Sequence, residues 1–429
     1  MLDQSESNRS LGRVHISGGR VKWQLHWPDL GIKAIVKNVG PEGKTIKGVI
    51  KFEYSETSPV APESRHIRRR LMNLLNPDAK HISDLRKKDP EIPWDDLIEQ
   101  MNTVVYDDYN MGIPVEDMSG GGISADTDAQ WLIHPLVEEG NPTLIYGKGS
   151  SGKSWLGQTL SILVHEGLSV DGLTVKEGPH RVLYLDWETT SSDIRKRFAM
   201  IRSGLGLEGV RNEGLLYKAM TRSLAEDLEA VLEVIQDQSI DFCVLDSAGY
   251  ASGGHPEDSG AAMDLFSAIR ELRVSSVVIS HVNKAGSLFG SEYFWNNPRF
   301  IFEAHKYQTE GDKKVVTGLF NRKSNNAGLL APIVWELDFS ELGTVTLSRR
   351  NPEDTGLEPL LHLRDRIINL LREQKIGGLT VAHLAEVLEK SEGHIRKEIS
   401  TNKDLFEKLE DGTYTIKNRI TNGEEAWTV

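Results

Sequence analysis

Between residues 142 and 282, short unbroken apolar runs alternate with helix-length segments. No other feature of the chain restricts its fold as much. "PTLIYG" (142–147), "HRVLYLDWE" (180–188), "IDFCVLDSA" (240–248) and "VSSVVISHV" (274–282) read as strands. Between them, "KSWLGQTLSILVHEG" (153–167), "SSDIRKRFAMIRSGLG" (191–206), "LAEDLEAVLEVIQD" (224–237) and "GAAMDLFSAIREL" (260–272) read as helices. Strands that are apolar on both faces belong to a parallel sheet covered by helices on both sides, so the expected fold class is α/β.

That pattern occupies residues 128–350, about a middle-sized domain, and the 429-residue chain is long enough for roughly three domains. Before it, residues 1–120 form a smaller module. "GRVHISGG", "RVKWQLHW", "IKAIVKNVG" and "IKGVIKFEYSE" alternate apolar with polar residues as short strands do. "SRHIRRRLMNLLN" and "PWDDLIEQMNTVVYDDY" carry helical spacing, and "MGIPVEDMSGGGISADTD" (111–128) has the composition of a linker. After a second polar stretch (348–359), residues 358–429 read as a helix, two short helices about "SEG", and a hairpin, the element order of a winged helix-turn-helix.

Composition narrows the setting. With 38% hydrophobic and 26% charged residues the chain is globular, no apolar run approaches the roughly 20 residues that span a bilayer, and no membrane partner is expected. The polar start "MLDQSESNRS" has no export signal, and the single cysteine, Cys243, lies in an apolar strand; a cytoplasmic location is expected. The net charge is −13, yet residues 1–70 hold 13 Lys and Arg against 7 Asp and Glu, so attraction to phosphates is expected at that end.

The turn after the first strand of the middle domain, "GKGSSGKS" (147–154), satisfies two motifs at once. Gly147, Gly149 and Gly152 fit the dinucleotide pattern G-x-G-x-x-G, while the full stretch fits the phosphate loop G-x-x-x-x-G-K-[ST]. Lys153 and Ser154 decide between them. A dinucleotide site has no need of either residue and expects an acid about 20 residues past the loop. A phosphate loop needs both, the lysine for phosphate oxygens and the hydroxyl for Mg2+. Gly147, Lys148, Gly149, Ser150, Ser151, Gly152, Lys153, Ser154 and the adjacent Trp155 are therefore the expected nucleotide-binding residues, with ATP and Mg2+ as cofactors.

Phosphate hydrolysis also needs a metal-holding acid and a group to orient water. Asp246 ends the apolar "FCVLD", which makes it the metal carboxylate beside Ser154. Asp186 and Glu188 share one face of the strand "VLYLDWE", and either could accept the proton of an attacking water; Glu188 is favoured.

A strand-final Glu after the first α/β unit, then "VLDS", then a strand ending in "SH", resembles the layout of RecA-type P-loop ATPases, particularly their RepA-like and DnaB-like hexameric helicase branch. The resemblance covers about residues 130–345. It implies that His281 is a polar sensor of the γ-phosphate, and that sites are shared between subunits of a ring, with a hexamer expected. It also implies cations donated in trans, for which Arg299 in "FWNNPRFIFEAHK" and Arg322 with Lys323 in "FNRKSNNAG" are the candidates.

In rings of that kind, the loops after the acid strand and the sensor strand face the pore. Here the second loop offers Lys284, with Phe289, Tyr293, Phe294 and Trp295 close behind, a charge for phosphate with flat side chains for bases. The winged helix-turn-helix offers His394, Arg396 and Lys397; with 11 basic and 12 acidic residues in 361–429, DNA and protein are equally open as its partner. The expectation is an ATP-hydrolysing motor on single-stranded DNA, of replicative helicase type, with loader or replication proteins as possible partners of the terminal modules. A second reading is an ATP-switched DNA-binding regulator, and a third a small-molecule kinase.

Overall fold

The computed structural model describes residues 15–19, 22–42, 45–54, 70–73, 80–111, 130–209, 213–255, 257–283, 288, 290–325, 328–374 and 377–417. They divide into two compact units, one of residues 1–129 with 224–240, the other of residues 130–223 with 241–429. No helix among the described residues is long and apolar enough to cross a membrane.

In the first unit five antiparallel strands, His15–Gly19, Lys22–Trp27, Ile32–Glu42, Thr45–Tyr54 and Arg70–Asn73, lie in sequential order. The alternation in "KWQLHW" sends Trp23, Leu25 and Trp27 inward. There they pack with Leu97, Ile98 and Met101 of helix Trp94–Met111. A buried indole N–H needs an acceptor. Trp23 donates to Asp108 at 2.8 Å, Trp27 to Gln100 at 2.9 Å, and Trp94 to the Asp89 carbonyl at 3.1 Å. The helix Leu224–Gln238 belongs to this unit too: Lys22 donates to Asp237 at 2.8 and 2.9 Å, and Lys37 to Glu233.

One sequence expectation is corrected here. Arg70–Asn73 lies within "SRHIRRRLMNLLN", read above as helical, and is instead a strand paired with Lys47–Ile50. Pairing with an open sheet edge outweighs a short helical pattern, since strand formation depends on neighbours more than on intrinsic preference.

The second unit is built on a nine-stranded sheet. Its strands in chain order are β1 (Pro142–Gly147), β2 (Val182–Asp186), β3 (Leu215–Ala219), β4 (Phe242–Asp246), β5 (Ser275–His281), β6 (Phe300–Tyr307), β7 (Lys314–Ser324), β8 (Ile333–Asp338) and β9 (Thr346–Arg350). The spatial order is β3-β2-β4-β5-β1-β6-β7-β8-β9. The pairs from β3 to β6 are parallel and the last three antiparallel. All five residues of β2 and of β4 are buried, as expected for parallel strands covered on both faces. Cys243 is among them, and burial pushes its thiol up, so it is inert packing.

Helices α1 (Lys153–Glu166), α2 (Ser191–Gly204) and α3 (Ser259–Leu272) belong to the same unit. In α1, Gly157 permits close approach to the sheet: a Cβ there would lie 2.9 Å from Ile279 and 3.2 Å from Val244. Beyond β9 follow α4 (Leu363–Glu373), α5 (Val381–Val387), α6 (Glu392–Thr401) and the hairpin Phe406–Lys408 with Tyr414–Ile416, around a core of Ile367, Leu371, Leu384 and Ile395.

Candidate functional site

β1 carries the chain to the carboxyl edge of the sheet, where glycine, serine and lysine shape a tight loop. Gly147 is confined, for a Cβ there would lie 2.4 Å from the Ala304 carbonyl oxygen of β6. Gly152 has φ 88°, and its Cβ would lie 2.5 Å from Thr317 Oγ1, so only glycine fits without cost. Thr317 in turn donates to the Ser151 carbonyl at 3.3 Å. Gly149 differs from both, since a Cβ there would meet nothing within 4 Å. Gly152 is the N-cap of α1, so the first-turn amides lack intrahelical acceptors and turn the positive end of the helix toward the loop.

Lys153 opens α1 and is buried inside this loop. Its Nζ donates to the carbonyls of Gly147 at 2.9 Å and Lys148 at 2.8 Å, and to Ser151 Oγ at 3.3 Å. Burial pushes its pKa down to about 8, against the opposing pull of Asp246 and Glu188.

Asp246 ends β4, buried, and its Oδ2 accepts the Tyr184 hydroxyl at 2.7 Å. The Ser154 hydroxyl also hydrogen-bonds this carboxylate. Burial raises the Asp246 pKa while those two donors lower it; the net direction is upward. Magnesium takes one or two carboxylates together with phosphate oxygens and waters. Asp246 with Ser154 fits that demand, and among the described residues no cluster of three or more His, Cys, Asp or Glu offers a metal cage of its own.

The two acids of "DWE" do not share a strand face. β2 ends at Asp186, whose buried carboxylate accepts the backbone N–H of Glu188 at 2.9 Å and of Thr189 at 3.2 Å, and the Tyr217 hydroxyl at 3.1 Å. Those bonds turn the chain, and Glu188 stands in the turn. Its Oε1 accepts the Ser247 hydroxyl and lies 3.2 Å from His281 Nε2 at the end of β5. The His281 hydrogen bond, then Ser247, hold the Glu188 pKa below the ordinary value despite partial burial. The structure thus gathers Lys153, Ser154, Glu188, Asp246 and His281 at the carboxyl ends of four neighbouring strands, where ligands of open α/β sheets bind.

Residues 115–287 match the family model described as an AAA domain. The phosphate loop, Glu188, Asp246 and His281 all lie within the matched residues. Among solved structures the chain is similar to a KaiC-like protein of Pyrococcus horikoshii OT3, with 13% identity over 51% of this chain and 93% of that one, at a TM-score of 0.35. It is likewise similar to the flagellar accessory protein FlaH of Methanocaldococcus jannaschii, with 14% identity over 50% and 90% of the two chains, also at 0.35. No curated protein matches the chain by sequence.

The remaining sequence candidates do not join this cluster. Arg299 precedes β6, whose Phe300 pairs with Thr143 and whose Ala304 pairs with Gly147. Arg299 is exposed, roughly 16 Å from the loop at about 3.3 Å per residue, beyond the reach of one side chain. Lys323 donates to the carbonyls of Trp295 at 2.8 Å, Asn296 at 3.0 Å and Pro298 at 2.9 Å, where it caps the short helix Glu292–Asn296. Arg322 pairs with Glu303 at 2.8 Å and lies over the Phe320 ring at 5.5 Å. Trp155 packs edge-on against Phe339 at 5.1 Å with Arg197 at 5.4 Å.

Of the aromatic candidates, Phe294 is fully buried against Phe266 at 5.3 Å and is a core residue, whereas Tyr293 and Trp295 are exposed. Lys284 and Phe289 lie outside the described residues. In α6, His394, Arg396 and Lys397 are exposed, with Arg396 paired to Glu392 at 2.7 Å.

Sequence reasoning missed Tyr184, Tyr217 and Ser247. The first two contact the acids only through strand register, which no local pattern encodes; the "DS" pair at 246–247 was the one available signal for Ser247.

Proposed function

We propose that this chain hydrolyses ATP with Mg2+ and uses the energy to move along or unwind single-stranded DNA, as a replicative-type helicase working in a hexameric ring. The observation that carries the hydrolytic half is Glu188, an ionised carboxylate held by Ser247 and His281 beside a buried lysine and a second acid. On ATP binding, Lys153 exchanges the loop carbonyls for β- and γ-phosphate oxygens, and the loop amides surround the phosphates. Ser154 and Asp246 would hold magnesium, which would supply positive charge against that developing on the phosphates. Glu188 accepts a proton from the attacking water. His281, hydrogen-bonded to Glu188, registers the change and passes it to the segment after β5.

That segment supports the DNA half of the reading. It leads through Lys284 to exposed Tyr293 and Trp295, a pairing of charge and stacking surface that suits single strands. Arg299 is the cation proposed to complete a neighbouring subunit's site; Arg322 and Lys323, engaged within the chain, would serve there only once released. The terminal modules, the second a proposed winged helix-turn-helix, are the docking points for DNA or for loader proteins. The exposed face of α6 favours one second reading, an ATP-switched DNA-binding regulator that does not translocate.

ATP turnover with and without single-stranded DNA, strand displacement, and sizing with ATP test the proposal together. A ring whose turnover rises on DNA and which displaces strands is the expected result. Stimulation without displacement favours the regulator, and a monomer indifferent to DNA overturns both.

A further inference from the structure

Two tyrosines stand in register inside the sheet, Tyr217 on β3 beside Tyr184 on β2. Each donates its hydroxyl to the acid ending the next strand inward: Tyr217 to Asp186 at 3.1 Å, and Tyr184 to Asp246 at 2.7 Å. Tyr184 itself pairs with Val244, two residues before Asp246, so the phenol reaches across one strand and up one step. Its side chain is fully buried, with its ring edge-on to Phe198 at 5.9 Å.

A phenylalanine would fill the same volume without a polar atom to desolvate. Burying a hydroxyl costs unless it is paired, so its presence here has to be explained by the bond it makes. An Asp carboxylate turns freely about its last torsion. A donor fixed on one oxygen stops that rotation, and Asp246 then keeps its remaining lone pairs toward Ser154 and the loop.

We propose that Tyr184 is a positioning residue for the metal-holding carboxylate: its hydroxyl fixes Asp246 in the orientation that accepts magnesium together with Ser154. This rests on the reading of Asp246 as the magnesium carboxylate. Partners of that kind, one shell out from the metal, commonly change metal affinity by about 10–100-fold when removed. Tyr217 acts on the other arm of the site, through Asp186 and the turn that carries Glu188.

The two arms separate in one experiment on the full chain, equilibrium binding of a fluorescent ATP analogue titrated with Mg2+ at fixed pH. Y184F should raise the Mg2+ midpoint about tenfold while binding in EDTA stays at the wild-type level. Y217F should leave the midpoint within about twofold, because its target is not a metal ligand. A Y184F midpoint like that of the wild type overturns the proposal, as does an equal shift in Y217F, which would mark general softening of the sheet end. Nucleotide binding that ignores Mg2+ in the wild type overturns the reading of Asp246 instead. Should Y184F fail to fold, 3-fluorotyrosine at position 184 gives a second test in the intact chain. Its fluorine resonance should shift with ATP and Mg2+ but not with ATP in EDTA, and a resonance indifferent to Mg2+ overturns the role.

Discussion

Glu188 and Asp186 are two residues apart and have opposite surroundings. Asp186 spends its oxygens on two backbone amides and the Tyr217 hydroxyl, so it maintains the turn. Glu188 is held ionised by a histidine and a serine and has the character of a base. Glu188→Gln should therefore bind ATP near the wild-type affinity while turnover falls by about 100-fold or more. Asp186→Asn should lower the melting temperature. Normal turnover in Glu188→Gln, with inactivity in a stably folded Asp186→Asn, would reverse the two roles. Lys153 makes a different prediction. Its pKa in the nucleotide-free chain is about 8, and a bound triphosphate raises it. The lysine's contribution to ATP affinity is then complete below about pH 8 and is lost as pH rises through that value, by at most roughly tenfold per unit. Calorimetry at several pH values should show this decline, with proton uptake on binding above about pH 8; a flat affinity up to pH 9.5 would contradict it. Lys153, Ser154 and Asp246 were legible because each belongs to a contiguous motif. Tyr184 was not, since its partner is 62 residues away and reached only through strand pairing.

The loop between β1 and α1 holds glycines of two kinds. Gly152 is required by the fold, at φ 88° and against Thr317. Gly152→Ala should cost about 1–3 kcal/mol of stability. Gly149 is not so required, because the space around its missing side chain is open. Gly149→Val should change stability by no more than about 0.5 kcal/mol, yet weaken ATP binding at least roughly tenfold, because the side chain would intrude where phosphates lie against backbone amides. Thermal melting with and without ATP separates the two effects, and a Gly149→Val chain that binds ATP normally would remove the phosphates from that face. The same contrast explains which elements the sequence announces. β1, β2, β4 and β5 are continuous apolar runs flanked by polar turns, and their burial on both faces leaves one reading. Arg70–Asn73 is a strand only because Thr45–Tyr54 offers it an edge, and β2 stops short of Glu188 only because Asp186 captures the following amides. Each outcome depends on a partner distant in sequence or on a side-chain bond that periodicity does not carry.

For the molecule as a whole, the parallel run of β1 and β6 sets a geometric requirement. Gly147 and Ala304 pair at one end and Thr143 and Phe300 at the other, so each chain carries its phosphate loop at one edge of the sheet and Arg299 at the opposite edge. A chain cannot serve its own loop with that arginine, whereas head-to-tail packing in the proposed ring would bring one edge to the other. A trans arginine is commonly worth about 10³–10⁵ in turnover, so Arg299→Ala alone should be nearly inactive, as should Lys153→Ala alone. In the proposed ring the two lesions would lie on different sides of a shared site. In an equimolar ring of the two variants, roughly a quarter of interfaces would combine an intact loop with an intact arginine, and activity should return to about that fraction of the wild type. Lys323→Ala provides the contrast: its three bonds to carbonyls cap a helix, so its loss should lower the melting temperature, and mixing with Lys153→Ala should not raise that temperature. Absence of recovery between Arg299→Ala and Lys153→Ala at every mixing ratio would remove Arg299 from the proposed shared site and leave the nucleotide site complete within one chain.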